Sequence, residues 1–148
     1  VIAVSGCDVC REVTGEIELP GGFLRESELV VAFHVPPLLE PEPQLGHLLV
    51  CPRRHADTWA DLIAEEAAQI GTAAAMLGGA VRQITNAERL YSAVIGHHSA
   101  HFHLHLFPRY PGTPAEIPWT KCDEWSGSPK GGPVEIVQFV ERLRATMI

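Results

Sequence analysis

The chain has 148 residues, a formal net charge of -7 and a sequence pI near 5.5. That length fits one domain over residues 1–148 with one core, and the acid excess excludes a protein that grips nucleic-acid backbone through a general basic surface. No apolar run approaches the roughly 20 residues of a membrane span and no secretory signal pattern opens the chain, so a soluble cytoplasmic protein is expected, with the natural start left open because the first residue is Val1.

Four cysteines, Cys7, Cys10, Cys51 and Cys122, are too few and too scattered for a disulfide framework, so reduced thiols are the default. Cys7-Asp8-Val9-Cys10 has the two-residue gap that lets two thiolates meet one tetrahedral ion. Its competitors are free thiols with no role and a disulfide or redox pair. The redox reading asks for a helix N-terminus that lowers a thiol pKa, and Arg11 to Gly15 does not open a convincing helix. Cys51 reads as a small buried residue, and Cys122 has no evident partner.

Thr14-Gly15-Glu16 and Leu19-Pro20-Gly21-Gly22 punctuate short extended pieces, and Leu29 to Phe33 is branched and aromatic enough for a strand, so this part reads as a β-meander. Val35 to Pro43 is a proline-rich loop, since proline lacks the donor that a central strand requires. His47 to Cys51 is the next strand. Trp59, Leu62, Ile63, Ala67, Ile70, Ala74, Leu77 and Val81 recur at helical spacing, predicting a helix from Trp59 to Arg82 with Thr58 and Asp61 at its N-terminus. Gly78-Gly79 marks a bend or a close approach to the sheet.

Tyr91 to Ile95 and Ala100 to Phe107 are two further strands joined by Gly96-His97-His98-Ser99, an antiparallel hairpin. After Pro108 an irregular surface loop runs to Lys130-Gly131-Gly132, which lacks phosphate-loop spacing. A last helix starts near Pro133 and puts Ile136, Val140, Leu143 and Met147 on one side. The sum is an α+β domain: about five antiparallel strands, one long helix and a C-terminal helix.

His101-Phe102-His103-Leu104-His105-Leu106 carries the chemistry. Strand alternation projects three imidazoles together and sends Phe102, Leu104 and Leu106 into a core. Three buried rings each need partners for their nitrogens, so they point to a site rather than to filling. A neutral imidazole, with an ordinary pKa of about 6.5, is a nucleophile near pH 7 and suits attack on phosphorus.

These histidines, with Pro108-Arg109-Tyr110 after them and Gly46 to His55 before them, resemble the two motifs of the histidine triad (HIT) superfamily. The resemblance implies the same α+β fold and a two-fold homodimer. It also implies a hydrolase or transferase acting on a small-molecule nucleotide: the middle histidine, here His103, attacks a nucleoside 5'-phosphoryl group to form a nucleotidyl-histidine, which water or phosphate then cleaves. Diadenosine tetraphosphate and nucleoside phosphoramidates are the candidate substrates. His105 would hold phosphate oxygens, a neighbouring backbone carbonyl would keep the proton of His103 on Nδ1, and His47 would support phosphate contact or proton traffic. Some relatives complete a structural zinc site with two histidines that correspond here to His55 and His101, beside Cys7 and Cys10; no organic cofactor is implied.

The turn before the triad departs from the family's Gly-Gln-Ser or Gly-Gln-Thr, leaving His97, His98 or Ser99 to replace the glutamine as donors. Trp119, Asp123 and Trp125 lie where some relatives close the nucleotide pocket. Two alternatives stand beside the hydrolase: a nucleotide sensor of the same fold without turnover, and a metalloenzyme whose triad histidines bind an open metal.

Overall fold

The computed structural model describes residues 3–147, so Val1, Ile2 and Ile148 lie outside it. Its elements in chain order are α1 (Asp8–Val13), β1 (Phe23–Glu26), β2 (Val30–His34), β3 (Leu48–Pro52), α2 (Ala64–Thr85), β4 (Arg89–Ala93), β5 (Leu104–Arg109) and α3 (Pro133–Thr146). The strands form an antiparallel sheet in the order β1-β2-β3-β5-β4. This is the expected α+β architecture, with the long helix and the C-terminal helix both in place.

Strand parity divides the interior into two clusters. Val30 and Ala32 of β2, Leu48 and Val50 of β3, and Leu104 and Leu106 of β5 face Ile70, Leu77 and Val81 of α2 and Ile136, Val140 and Leu143 of α3. The alternate residues Val31, Phe33, Leu49 and Cys51 face Val9, Cys10 and Val13 of α1. Two long helices thus cover one face completely, while a six-residue helix covers only part of the other. The uncovered part of that second face is where side chains of His47 and His105 parity emerge.

Three expectations need correction. Arg11 to Val13 do belong to a helix: α1 is capped by Cys7, whose Sγ accepts the Cys10 N–H at 3.3 Å. Thiols are unusual caps, and this one is recruited by tertiary contacts of Cys7 and Cys10 rather than by local propensity. The long helix begins at Ala64, not Trp59. Thr58 instead caps a short 3-10 turn, Trp59–Asp61, because the Asp61 carboxylate returns to the Thr58 N–H at 2.9 Å. Glu66 then opens α2 by accepting the Ile63 N–H at 3.0 Å, and Asn86, in the left-handed region at φ 54°, ends it after Thr85. Gly78 sits inside α2 where a Cβ would come within 2.6 Å of Leu90 Cδ2, so close packing on β4 explains Gly78, whereas a Cβ on Gly79 would meet nothing within 4 Å.

The third correction concerns the triad strand. Pairing of β4 with β5 runs from Arg89↔Arg109 to Ala93↔His105, so ten residues, 94–103, join the strands instead of a tight turn. His101 and His103 precede β5, and only His105 lies within it. Phe102, Leu104 and Leu106 do enter the core as alternation required.

Candidate functional site

Two centres meet at the start of β5, and residue 101 belongs to both. In the first, one ligand atom from each of Cys7, Cys10, His55 and His101 lies within 4.8 Å of every other. Cys10 Sγ is 3.3 Å from both His55 Nδ1 and His101 Nδ1. Donors around a tetrahedral ion at 2.0–2.3 Å stand roughly 3.3–3.8 Å apart, so the cluster fits a zinc-sized ion with little adjustment. The tautomer also fits. His101 Nε2 donates to the Pro52 carbonyl at 2.7 Å, which leaves Nδ1 with a lone pair directed at the cluster. Four protein ligands make this a structural zinc site that ties α1 to the segment before β5.

The loop that carries His55 is held from both sides. Arg54 forks onto the almost fully buried Glu66 at 3.1 and 2.9 Å, and the Ala56 carbonyl accepts the Phe102 N–H at 2.6 Å. Burial pushes the Cys10 thiol pKa up, so its thiolate form is favoured by a bound cation.

In the second centre, His103 Nδ1 donates to the His101 carbonyl at 2.6 Å, which in the neutral ring puts the lone pair on Nε2. The His103 and His105 rings are 4.8 Å apart, and His105 Nδ1 is 2.9 Å from His47 Nε2. Burial, reinforced by the neighbouring imidazoles His105, His34 and His103, lowers the His47 pKa to about 3; burial and His103 lower that of His105 to about 4. Both rings are therefore neutral at pH 7, sharing one hydrogen bond. His47 is aimed by Gly46, which has φ +95° and whose Cβ, if present, would meet Phe139 and Pro108 at 3.1 and 3.2 Å.

His47, His103 and His105 line a cavity of about 450 Å³, together with Ser99 and His98 from the preceding turn. His97 does not line it. Ser99 Oγ is 3.5 Å from Cys7 Sγ, linking that turn to the metal cluster. Asp123 reaches the cavity wall, whereas Trp119 stacks on Phe107 and Trp125 packs over Gly127. Cys51 is fully buried in an apolar cluster, and Cys122 contacts the Pro108 carbonyl at 3.8 Å.

Three residues escaped the sequence reading. His34 extends β2 by one position; its Nδ1 donates to the Val35 carbonyl at 2.8 Å and its Nε2 accepts the Gly46 N–H at 3.0 Å, so it buttresses the turn into His47. Its parity with Val30 and Ala32 was the available signal. Glu12 is buried on α1 beside the cavity, where desolvation and then the Asp8 charge raise its pKa to about 7. Spacing of Val9, Glu12 and Val13 places it on the inner face once α1 is recognised. Gln44, 2% exposed, bonds the Pro108 carbonyl and Ser128 and carried no signal of its own.

The sequence profile of the HIT domain matches residues 16–112. No curated protein matches the chain. Among solved structures, a hypothetical histidine triad nucleotide-binding protein from Sulfolobus tokodaii is 18% identical with a TM-score of 0.71, the match covering 95% of this chain and 91% of that one. A HIT-like protein involved in cell-cycle regulation from Bartonella henselae is 18% identical with a TM-score of 0.69 over 98% and 99% of the two chains. A zinc-bound histidine triad family protein from Mycobacterium smegmatis is 21% identical with a TM-score of 0.68 over 96% and 93%.

Proposed function

The chain belongs to the HIT-domain family, and from that premise we propose that it is a nucleotidyl hydrolase or transferase whose nucleophile is His103. The observation that carries this reading is the hydrogen bond from His103 Nδ1 to the His101 carbonyl, 2.6 Å long, on a residue that lines the cavity. It keeps the lone pair on Nε2 without a separate base. Nε2 attacks the phosphorus of a nucleoside 5'-phosphoryl group; the P–N bond forms as the bond to the leaving group breaks. When His47 donates its Nε2 proton to His105 Nδ1, His105 keeps a proton on its own Nε2 for a phosphate oxygen, with Ser99 and His98 as further donors. Water then cleaves the nucleotidyl-histidine and releases the nucleoside monophosphate.

Of the two substrate classes, the nucleoside phosphoramidates suit this cavity better. Asp8, Glu12, Glu40 and Asp123 line it and no Lys or Arg does, among the described residues. A bridging tetraphosphate would set several negative charges against those acids, whereas a phosphoramidate brings a single phosphoryl group. The test follows AMP release from adenosine phosphoramidate and from diadenosine tetraphosphate, with acid quenching to trap the nucleotidyl-protein. Turnover and an adduct in the wild type, both lost in His103→Ala, support the reading; tight AMP binding with neither would replace it by a sensor.

A metal-dependent enzyme is the second reading, and the four-residue cluster is the observation that favours it. Of the triad only His101 belongs to that cluster, and four protein ligands leave a tetrahedral ion no open position for substrate or water. Metal retained in His103→Ala separates the two. We also propose a homodimer through β4, an edge strand with exposed Ile95 just beyond it and a groove of Ala74, Gly78, Arg82 and Leu90 alongside. Sedimentation at twice the chain mass of 16.1 kDa is the check.

A further inference from the structure

Hydrogen-bonding capacity in the cavity is unbalanced in a way that the triad does not use. Among the described residues, the buried side-chain polar atoms without a partner are Glu12 Oε2 and Gln44 Oε1, and both residues line the triad cavity. The Gln44 oxygen is an acceptor, and the Glu12 oxygen is one in the ionised carboxylate. The Gln44 amide cannot be turned around to change this, because its Nε2 donates to the Pro108 carbonyl at 3.0 Å and a flip would set oxygen against oxygen. Buried acceptors left unpaired are costly, and a native structure keeps them where something supplies the donor.

Position separates the two. Gln44 lies three residues before His47 and is tied to the triad strand through the Pro108 carbonyl. Glu12 projects from α1, 5% exposed, with Val9 one turn before it on the same wall. Val35, Pro36, Leu38 and Leu49 are among the other apolar side chains of the lining. Of the four acids on the cavity wall only Glu12 is buried, and a buried carboxyl group among apolar side chains suits an aromatic heterocycle held by its edge.

We propose that Glu12 is the base-reading residue of this cavity, accepting paired N–H donors from the nucleobase and so selecting guanine over adenine. Guanine presents its ring N1–H and exocyclic N2–H side by side, matching the two oxygens of one carboxylate; adenine offers a donor beside an acceptor, which sets a lone pair against one of those oxygens. Hypoxanthine keeps N1–H alone and is intermediate. The inference rests on the reading that a nucleoside 5'-phosphoryl group occupies the cavity, and it names the base.

The test titrates the full metal-loaded chain with GMP, IMP and AMP by calorimetry, and repeats the titrations with Glu12→Gln and Glu12→Leu. The wild type is expected to bind in the order GMP, IMP, AMP, with GMP favoured over AMP by roughly tenfold or more. Glu12→Gln, which offers one donor and one acceptor, should bring GMP affinity down to that of AMP or below. Equal affinities in the wild type, a ladder needing no variant to fold, would overturn the inference, as would a guanine preference that survives in Glu12→Gln. In either case turnover dependent on His103 would leave the proposed function standing. Neither binding nor turnover with any of the nucleotides would overturn both.

Discussion

Replacing His34 by Phe should flatten the acid sensitivity of the fold. His34 is fully buried, its ring meets Phe139 edge-on at 5.9 Å, and its Nε2 accepts the buried Gly46 N–H. Burial is the main cause of its low pKa, about 4 against an ordinary 6.5. The sign follows from linkage: the folded state favours neutral His34, so its contribution is fully present above pH 6.5 and is lost as the pH falls through about 4. A difference of that size corresponds to about 3 kcal/mol. At pH 7.5 the variant loses the acceptor for a buried N–H, at a cost of about 1–3 kcal/mol. Urea unfolding of both proteins between pH 4 and pH 7.5 should therefore show the wild type more stable at the upper end and the two curves converging or crossing towards pH 4. Release of the metal is common to both proteins and drops out of the difference, while burial, the main cause of the low His47 pKa, is kept in the variant and only the smaller His34 contribution to it is lost. A stability difference that stays constant across this range would refute the reasoning.

His103→Ala should abolish nucleotidyl-adduct formation and reduce turnover by several orders of magnitude while leaving metal content unchanged; elemental analysis and acid-quench mass spectrometry read the two separately. Cys10→Ser or His55→Ala should lose the zinc and lower Tm by several degrees, because the bond from the metal cluster through His101 fixes the start of β5; zinc retained at full occupancy in Cys10→Ser would disprove the assignment. Gly21→Ala should destabilise by about 2 kcal/mol or more, since the position has φ +83° and a Cβ would meet three atoms of Val140 at 2.8 to 2.9 Å. Gly71→Ala, inside α2 with no atom within 4 Å of the added Cβ, should stabilise by about 0.5–1 kcal/mol in the same thermal melts.

Local and periodic information carried most of the architecture. The period-2 pattern around His103 and the 3.6-residue pattern from Ile70 to Val81 each reflect which face meets a core, and such a pattern is written in neighbouring residues. Motif order placed His47, His55, His101, His103 and His105, and the two-residue gap of Cys7 and Cys10 marked a pair of ligands. What depended on tertiary structure was everything set by contact between distant segments. Helix α1 exists because Cys7 and Cys10 meet His55 and His101, some 45 and 91 residues away from Cys10. The early helix start at Trp59 failed because one side-chain bond from Asp61 outcompeted helical propensity, and the tight hairpin failed because His101 is drawn to Pro52 and Cys10 rather than paired across β4. Glu12, His34 and Gln44 look like ordinary residues in the chain. Only folding shows that it buries one carboxyl without a partner, one imidazole as an acceptor and one amide oxygen unpaired, because a desolvation cost belongs to a place in space and not to a residue type.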